Sequence, residues 1–413
     1  MNQTFYAVDN SAILYLSLIK KHHTNVYRFT MTMTEPVCPE TLQTAVDRIT
    51  PRFPTILAGF RPGLFGYTMV PAAEPPVVRP DPGLLITMTR AEIAQCAWRI
   101  FYRGNQISFE AFHALTDGYG AVASFTTLVA EYLRLRHGVE IPIAGTLRSL
   151  EETPQEHELE DSYELHEAGN PLHLPSRYSY QLPRSADADW NVQTCARTYS
   201  TADILAAARN LGVSATGLFS GLMAAAVMEL QQRGANRRLP VRIMIPVDLR
   251  RMFESRTLRN FILYALPTME PGDEKKPLKE LLASFHNQLR EQVQKHRMAA
   301  IMAYNVRTQR SVWFRAIPRA VKCFAMRTAY RFFGESNSSI TLTNLGGVSL
   351  PREMEPYVAG LEVILTPRAG SPYNCAIISL GDRMTINLSR FGNDRRLEEL
   401  FFGKLEQALR GEL

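Results

Sequence analysis

His113, Asp117 and Gly118 stand in the run Phe109-Glu-Ala-Phe-His-Ala-Leu-Thr-Asp-Gly118, a His-x-x-x-Asp-Gly pattern. These residue types suit proton abstraction. An imidazole with an ordinary pKa of about 6.5 can act as general base near neutral pH. At the end of a strand, one ring nitrogen can face a cavity while the other bonds backbone and fixes the tautomer. Asp117 precedes a helical pattern. As a cap it would accept free N–H groups, and as a buried acid it would need a cation. Gly118 permits close backbone approach or positive φ. The pattern is short, and a structural histidine followed by an ordinary cap would also produce it.

The flanking elements decide how these groups are aimed. Trp98–Arg103 and Gln106–Phe112 read as strands of a hairpin around Gly104-Asn105. Alternation puts Ile107, Phe109, Ala111 and His113 on one face, so His113 is the last side chain of an apolar stripe. From Gly118 to about Arg136 the period becomes helical, with Val122, Phe125, Leu128, Val129 and Tyr132 as the buried stripe and Gly138 as the stop. Upstream, residues 27–34 alternate as a half-buried strand, and Pro39 opens a helix through about residue 50. Residues 61–84 read as loop with short strands.

The chain has 413 residues, too many for one ordinary core. The acids Glu151, Glu152, Glu156, Glu158, Glu160, Asp161, Glu164 and Glu167, with the Pro/Ser-rich stretch to 185, read as an exposed linker. It divides the chain into 1–150, a linker 151–185, and 186–413. The last part mixes helices at about 201–211, 214–233, 276–298 and 394–410 with strands at 241–245, 339–343, 361–365, 374–380 and 384–389. An α/β (α+β) class follows.

Net charge is +6, yet no nucleic-acid-binding signature accompanies it; an ordinary solvated surface accounts for the charge first, and a phosphate-bearing small molecule is the next partner a basic surface suggests. The five cysteines are far apart with no C-x-x-C pair, which fits a reducing cytoplasm and argues against structural zinc. No signal peptide is visible, and no run of about 18 apolar residues suggests a membrane span. His22-His23 and His286/His296 lack metal-ligand spacing, so no metal is assigned.

Residues 107–133 resemble the active-site segment of the coenzyme A-dependent acyltransferase superfamily, which includes chloramphenicol acetyltransferase, nonribosomal peptide condensation domains and bacterial alcohol acetyltransferases. Ile245-Pro-Val-Asp-Leu-Arg250 followed by Thr257-Leu-Arg-Asn-Phe261 is similar to the P-V-x-x-R … N-F signature of condensation-type enzymes. Ser339-Ile-Thr-Leu-Thr-Asn-Leu-Gly346 looks like their S/T-N-x-G strand, and Glu160-Asp-Ser-Tyr163 like the linker of alcohol acetyltransferases. The resemblance implies two chloramphenicol-acetyltransferase-like subdomains, each a mixed sheet flanked by helices, with an active-site tunnel between them.

In that setting His113 takes the proton of an alcohol, which attacks an acyl-coenzyme A thioester without an acyl-enzyme. Asp117 pairs with Arg250 across the halves, Gly118 and Asn260 support the site, and Thr343 and Asn344 line the tunnel or bond the oxyanion, or are plain strand-end residues. Acyl-coenzyme A is a co-substrate and no cofactor stays bound. Two departures matter: Phe112 stands where condensation domains usually carry a second histidine, and Ser389-Arg-Phe-Gly392 does not match the D-F-G-W-G loop of plant enzymes. A carrier-protein thioester with an amine or hydroxyl acceptor is the alternative, and an inactive binding homologue a second.

Residues 305–334 hold Arg307, Arg310, Arg315, Arg319, Lys322, Arg327 and Arg331, interleaved with aromatics and free of acids. Three readings stay open for 307–333: a peripheral contact with a membrane surface, a guide for the phosphates of coenzyme A, or an amphipathic helix packing its aromatics on the core with its basic face solvated.

Overall fold

Antiparallel pairing starts at the hairpin of the motif. Gln106–Phe112 pairs with Trp98–Arg103 on one side and with Val26–Met33 on the other. Gly104 makes the turn at φ +57°, a left-handed conformation that glycine adopts without a Cβ clash. The computed structural model describes residues 5–20, 25–183, 190–234, 236–368 and 371–413.

The first sheet has five strands in the order Val358–Leu365, Val26–Met33, Gln106–Phe112, Trp98–Arg103, Arg79–Pro80. Its edge strand Val358–Leu365 comes from the far end of the chain, with Leu361 opposite Met31 and Val363 opposite Phe29. The division at 151–185 is therefore not a division in space, since part of 186–413 completes the first sheet. The strand 26–33 is not half-buried either. Arg28 and Thr30 on its second face are buried, because Arg28 is neutralised by Asp81 at 2.7 Å and Glu110 at 2.8 Å and Thr30 bonds Ser108 at 2.9 Å.

A seven-stranded sheet forms the second half. Its main path is Ile262–Ala265, Val241–Asp248, Ile340–Val348, Tyr373–Leu380, Arg383–Phe391, Val192–Ser200. Helices Ala215–Gln232, Leu278–Gln292 and Arg396–Leu409 supply buried Phe219, Phe285 and Phe401 to its core. The helix expected over 276–298 breaks after Gln292, and a separate helix runs Lys295–Arg310. No single helix among the described residues is long and apolar enough to cross a membrane.

The acidic stretch is more than an exposed linker. Glu158 is buried and accepts from Arg52 Nη1 at 2.7 Å and from Arg148 Nε at 2.8 Å. Ser162, Tyr163, Ser179, Tyr180 and Leu182 are buried too. The segment is a strap fastened across both halves, because its acids meet arginines and its aromatics meet apolar surface.

Candidate active site

His113 follows the strand Gln106–Phe112 by one residue, where its backbone N–H donates to the Asn25 carbonyl at 2.8 Å. The Tyr15 ring stacks on the imidazole at 4.5 Å and 18°, and Tyr27 meets it edge-on at 5.1 Å. Nδ1 is buried with no hydrogen-bond partner among the described residues, and the ring is held by packing against the two tyrosines. The ring keeps partial exposure. Enough protein surrounds it that desolvation pulls its pKa below the usual 6.5, against the opposing pull of its own backbone, the Asp117 charge and Asn260. A half-buried, neutral imidazole is the competent state of a base at neutral pH.

Asp117 is both cap and strut. Its Oδ1 accepts from Tyr119 N–H at 3.1 Å at the start of the helix Gly118–His137. Its Oδ2 accepts from Arg250 Nη1 at 2.9 Å and from Phe261 N–H at 2.8 Å. Arg250 uses its remaining donors on the carbonyls of Thr257 (2.8 Å) and Arg259 (2.6 Å) and on the Asp248 carboxylate (2.8 Å). Both oxygens of Asp117 are thus committed to architecture, and the pair ties the first-half helix to the second-half segment 248–261.

The helix start is glycine because the other half comes too close for a side chain. A Cβ on Gly118 would overlap the Leu345 side chain, and one on Gly120 would overlap the Leu258 carbonyl oxygen and Thr116 Oγ1. Close approach, rather than positive φ, is the use of Gly118.

Residues 194–320 match the family model described as phthiocerol/phthiodiolone dimycocerosyl transferase C-terminus. No curated protein sequence matches the chain. Solved structures match along its length. Trichothecene 15-O-acetyltransferase from Fusarium sporotrichioides is 12% identical, with a TM-score of 0.62 over 100% of this chain and 96% of that one. TRI101 from F. sporotrichioides, complexed with coenzyme A and T-2, is 13% identical at 0.61, covering 96% and 97%. The epimerization domain from the third module of tyrocidine synthetase B is 12% identical at 0.60, covering 99% and 96%. The chain has the fold of the coenzyme A-dependent acyltransferase and condensation-domain superfamily.

Within this acyltransferase-superfamily fold, the structure brings His113, Asp117, Gly118, Arg250 and Asn260 together. Asn260 donates to the Ala114 carbonyl at 3.3 Å, and its Oδ1 is buried without a partner among the described residues. Thr343 and Asn344 lie on the strand Ile340–Val348, whose Leu345 sits against Gly118. The Asn344 amide is spent on Thr216 Oγ1 at 3.1 Å, and its Oδ1 accepts from Gly346 N–H at 3.0 Å. Asn344 therefore braces the mid-strand irregularity between Asn344 and Gly347, and Thr343 is the freer of the two.

Two surface cavities, one against Tyr180, Leu182 and Tyr373 and the other against Met33, Tyr132 and Tyr357, are not lined by these residues. The site is defined by convergent polar groups, and neither cavity represents the expected tunnel. His286 Nδ1 lies 3.3 Å from Ser214 N–H, and His22-His23 lie outside the described residues.

Sequence reading missed the helix Asn10–Ser17, which carries Tyr15 onto His113. Its cap, Asp9, is fully buried, accepts from Ala12 N–H at 2.8 Å, and lies 3.5 Å from Arg259. Burial raises the Asp9 pKa to about 7; Arg259 opposes this and Asp161 adds to it. The missed signal was Asp9 ahead of Ala12, Tyr15, Leu16 and Ile19, a cap followed by helical spacing.

Proposed function

We propose that this protein is an O-acyltransferase that moves an acyl group from a coenzyme A thioester to an alcohol. The observation that carries the reading is the half-buried His113, neutral at neutral pH, beside an Asp117 carboxylate wholly engaged by Arg250 and backbone. We assign the base role to Nε2, the ring nitrogen that is not sealed inside the protein; the neutral tautomer then carries its proton on Nδ1.

The acceptor hydroxyl gives its proton to His113 as its oxygen attacks the thioester carbon. The tetrahedral oxyanion collapses, the C–S bond breaks, and the departing sulfur takes the proton from the imidazolium. Ester and free thiol result, with no oxidation or reduction and no nucleophilic Ser or Cys. Thr343 is the side chain proposed to meet the oxyanion. The passage for thioester and acceptor runs between the halves, reached from either side of His113. The coenzyme A bound to TRI101 supports that donor. All five cysteines are unpaired, which fits a reducing, cytoplasmic setting.

The likeness to an epimerization domain keeps a second reading in view, in which a carrier-protein thioester is the donor. Thiol release from acetyl-coenzyme A with a panel of alcohols tests the first reading. Turnover confined to pantetheine-loaded carrier protein or to amine acceptors would replace it with the second.

A further inference from the structure

The segment 305–334 takes no part in the proposed reaction, and its Trp313, Phe324 and Phe332 stand exposed instead of packing on the core as the amphipathic-helix reading has it. Val312 is 78% exposed, Trp313 85%, Val321 57% and Phe324 70%, on the short helices Val312–Ala316 and Arg319–Ala329. A second piece of chain adds to this face. The hairpin of Ala58–Pro62 and Tyr67–Pro71 carries Leu64 and Phe65 at its tip, 73% and 51% exposed. Arg319 N–H and Nε hold the tip through the carbonyls of Leu64 (2.8 Å) and Gly63 (2.9 Å), and Lys322 Nζ through that of Phe65 (3.0 Å).

The face is firmly mounted. On its inner side Cys323 is buried, Ser17 Oγ lies 3.7 Å from its sulfur, and Arg327 Nε donates to the Ser17 carbonyl at 2.7 Å. These contacts seat the helix Arg319–Ala329 on the helix Asn10–Ser17. The exposed apolar side chains are thus presented by a packed element, and an apolar patch drawn from two chain segments marks an interaction surface.

Charge selects the partner. No acid occurs in 305–334. Arg307 and Arg310 are neutralised by Glu164 and Glu167, but Arg315, Arg319, Lys322, Arg327 and Arg331 have no carboxylate partner among the described residues. A second copy docking through the same face would set these cations against themselves. A surface with an apolar interior and anionic headgroups satisfies both features, since aromatic rings seat below the headgroups while the cations stay at the phosphates.

We propose that this face, built from the 63–66 hairpin tip and residues 312–332, docks on an anionic lipid bilayer. The inference rests on this surface and not on the proposed reaction, so it is read by binding. Trp98 is 1% exposed and Trp190 40%, so in a full-length Trp190→Phe protein Trp313 becomes the one well-exposed indole among the described residues. Phosphatidylcholine vesicles containing phosphatidylglycerol should shift its emission to the blue and shield it from iodide, with reversal by high salt. Pure phosphatidylcholine should do so weakly.

The double variant Leu64→Asp/Phe65→Asp, made in the other segment, should weaken vesicle sedimentation by about tenfold or more with its melting temperature unchanged. Equal behaviour with and without phosphatidylglycerol, or no shift at all, would overturn the proposal. So would shielding of Trp313 that grows with protein concentration in the absence of vesicles, which would mark a protein–protein surface.

Discussion

At the scale of single residues, burial sets the working charge states. Desolvation holds the His113 pKa below 6.5, so the imidazole is neutral above that pH, and the proposed base is lost as pH falls through the lowered value. The acid limb of kcat/KM for acyl transfer should therefore have its midpoint below pH 6.5; a midpoint above it would assign the limb to another group. Asp9 carries the opposite sign. Its folded pKa of about 7 exceeds its ordinary 3.8, so the folded state holds a proton there that the unfolded chain has released. Folding stability should fall as pH rises toward 7, and Asp9→Asn, which can still cap its helix, should flatten that slope in urea titrations at several pH values. His113 was legible because strand alternation and the Asp-Gly helix start both point at it. Tyr15 and Asp9 were not, because what matters about them is which ring and which arginine they meet across the fold.

Between elements, the junction of the helix Gly118–His137 with the segment 248–261 holds the site. Removing one partner of a buried ion pair leaves an uncompensated charge, so Asp117→Ala should cost about 3–5 kcal/mol in urea unfolding. Loss of activity with unchanged stability would instead give Asp117 a direct chemical role. Gly120→Ala should cost about 1–3 kcal/mol, because its new methyl meets the Leu258 backbone carbonyl, which cannot rotate away. Gly118→Ala should cost less, since it meets only the end of the Leu345 side chain. The helix Gly118–His137 and the hairpin at Gly104 could be read closely from periodicity, whereas the strand read at 241–245 runs on to Asp248 and the short helix Arg250–Phe253 left no apolar period to read. The break after Gln292 could not be read either, because Val293 keeps the helical spacing set by Leu289 while Gln294 already has extended backbone at ψ 139°.

Across the whole molecule, the two halves are interlocked by chain that leaves one and finishes the other. Val358–Leu365 reads in sequence only as a strand; which sheet it joins depends on pairing with Val26–Met33, and no local pattern states that. The strap 151–183 reads as a solvated linker for the same reason, since Glu158 looks like any surface acid until Arg52 and Arg148 close on it. A fragment ending at residue 183 should expose 26–33 as an unpaired edge and aggregate, and co-expression with 190–413 should restore solubility. Such interlocking lets the proposed base His113 from one half and Arg250 from the other share one fixed geometry. The most direct test of that assembly is thiol release from acetyl-coenzyme A over an alcohol panel by the protein and by its His113→Ala variant. The expected result is a loss of about 100–10,000-fold with the melting temperature essentially unchanged; an alanine variant that keeps the full rate would contradict His113 as the base.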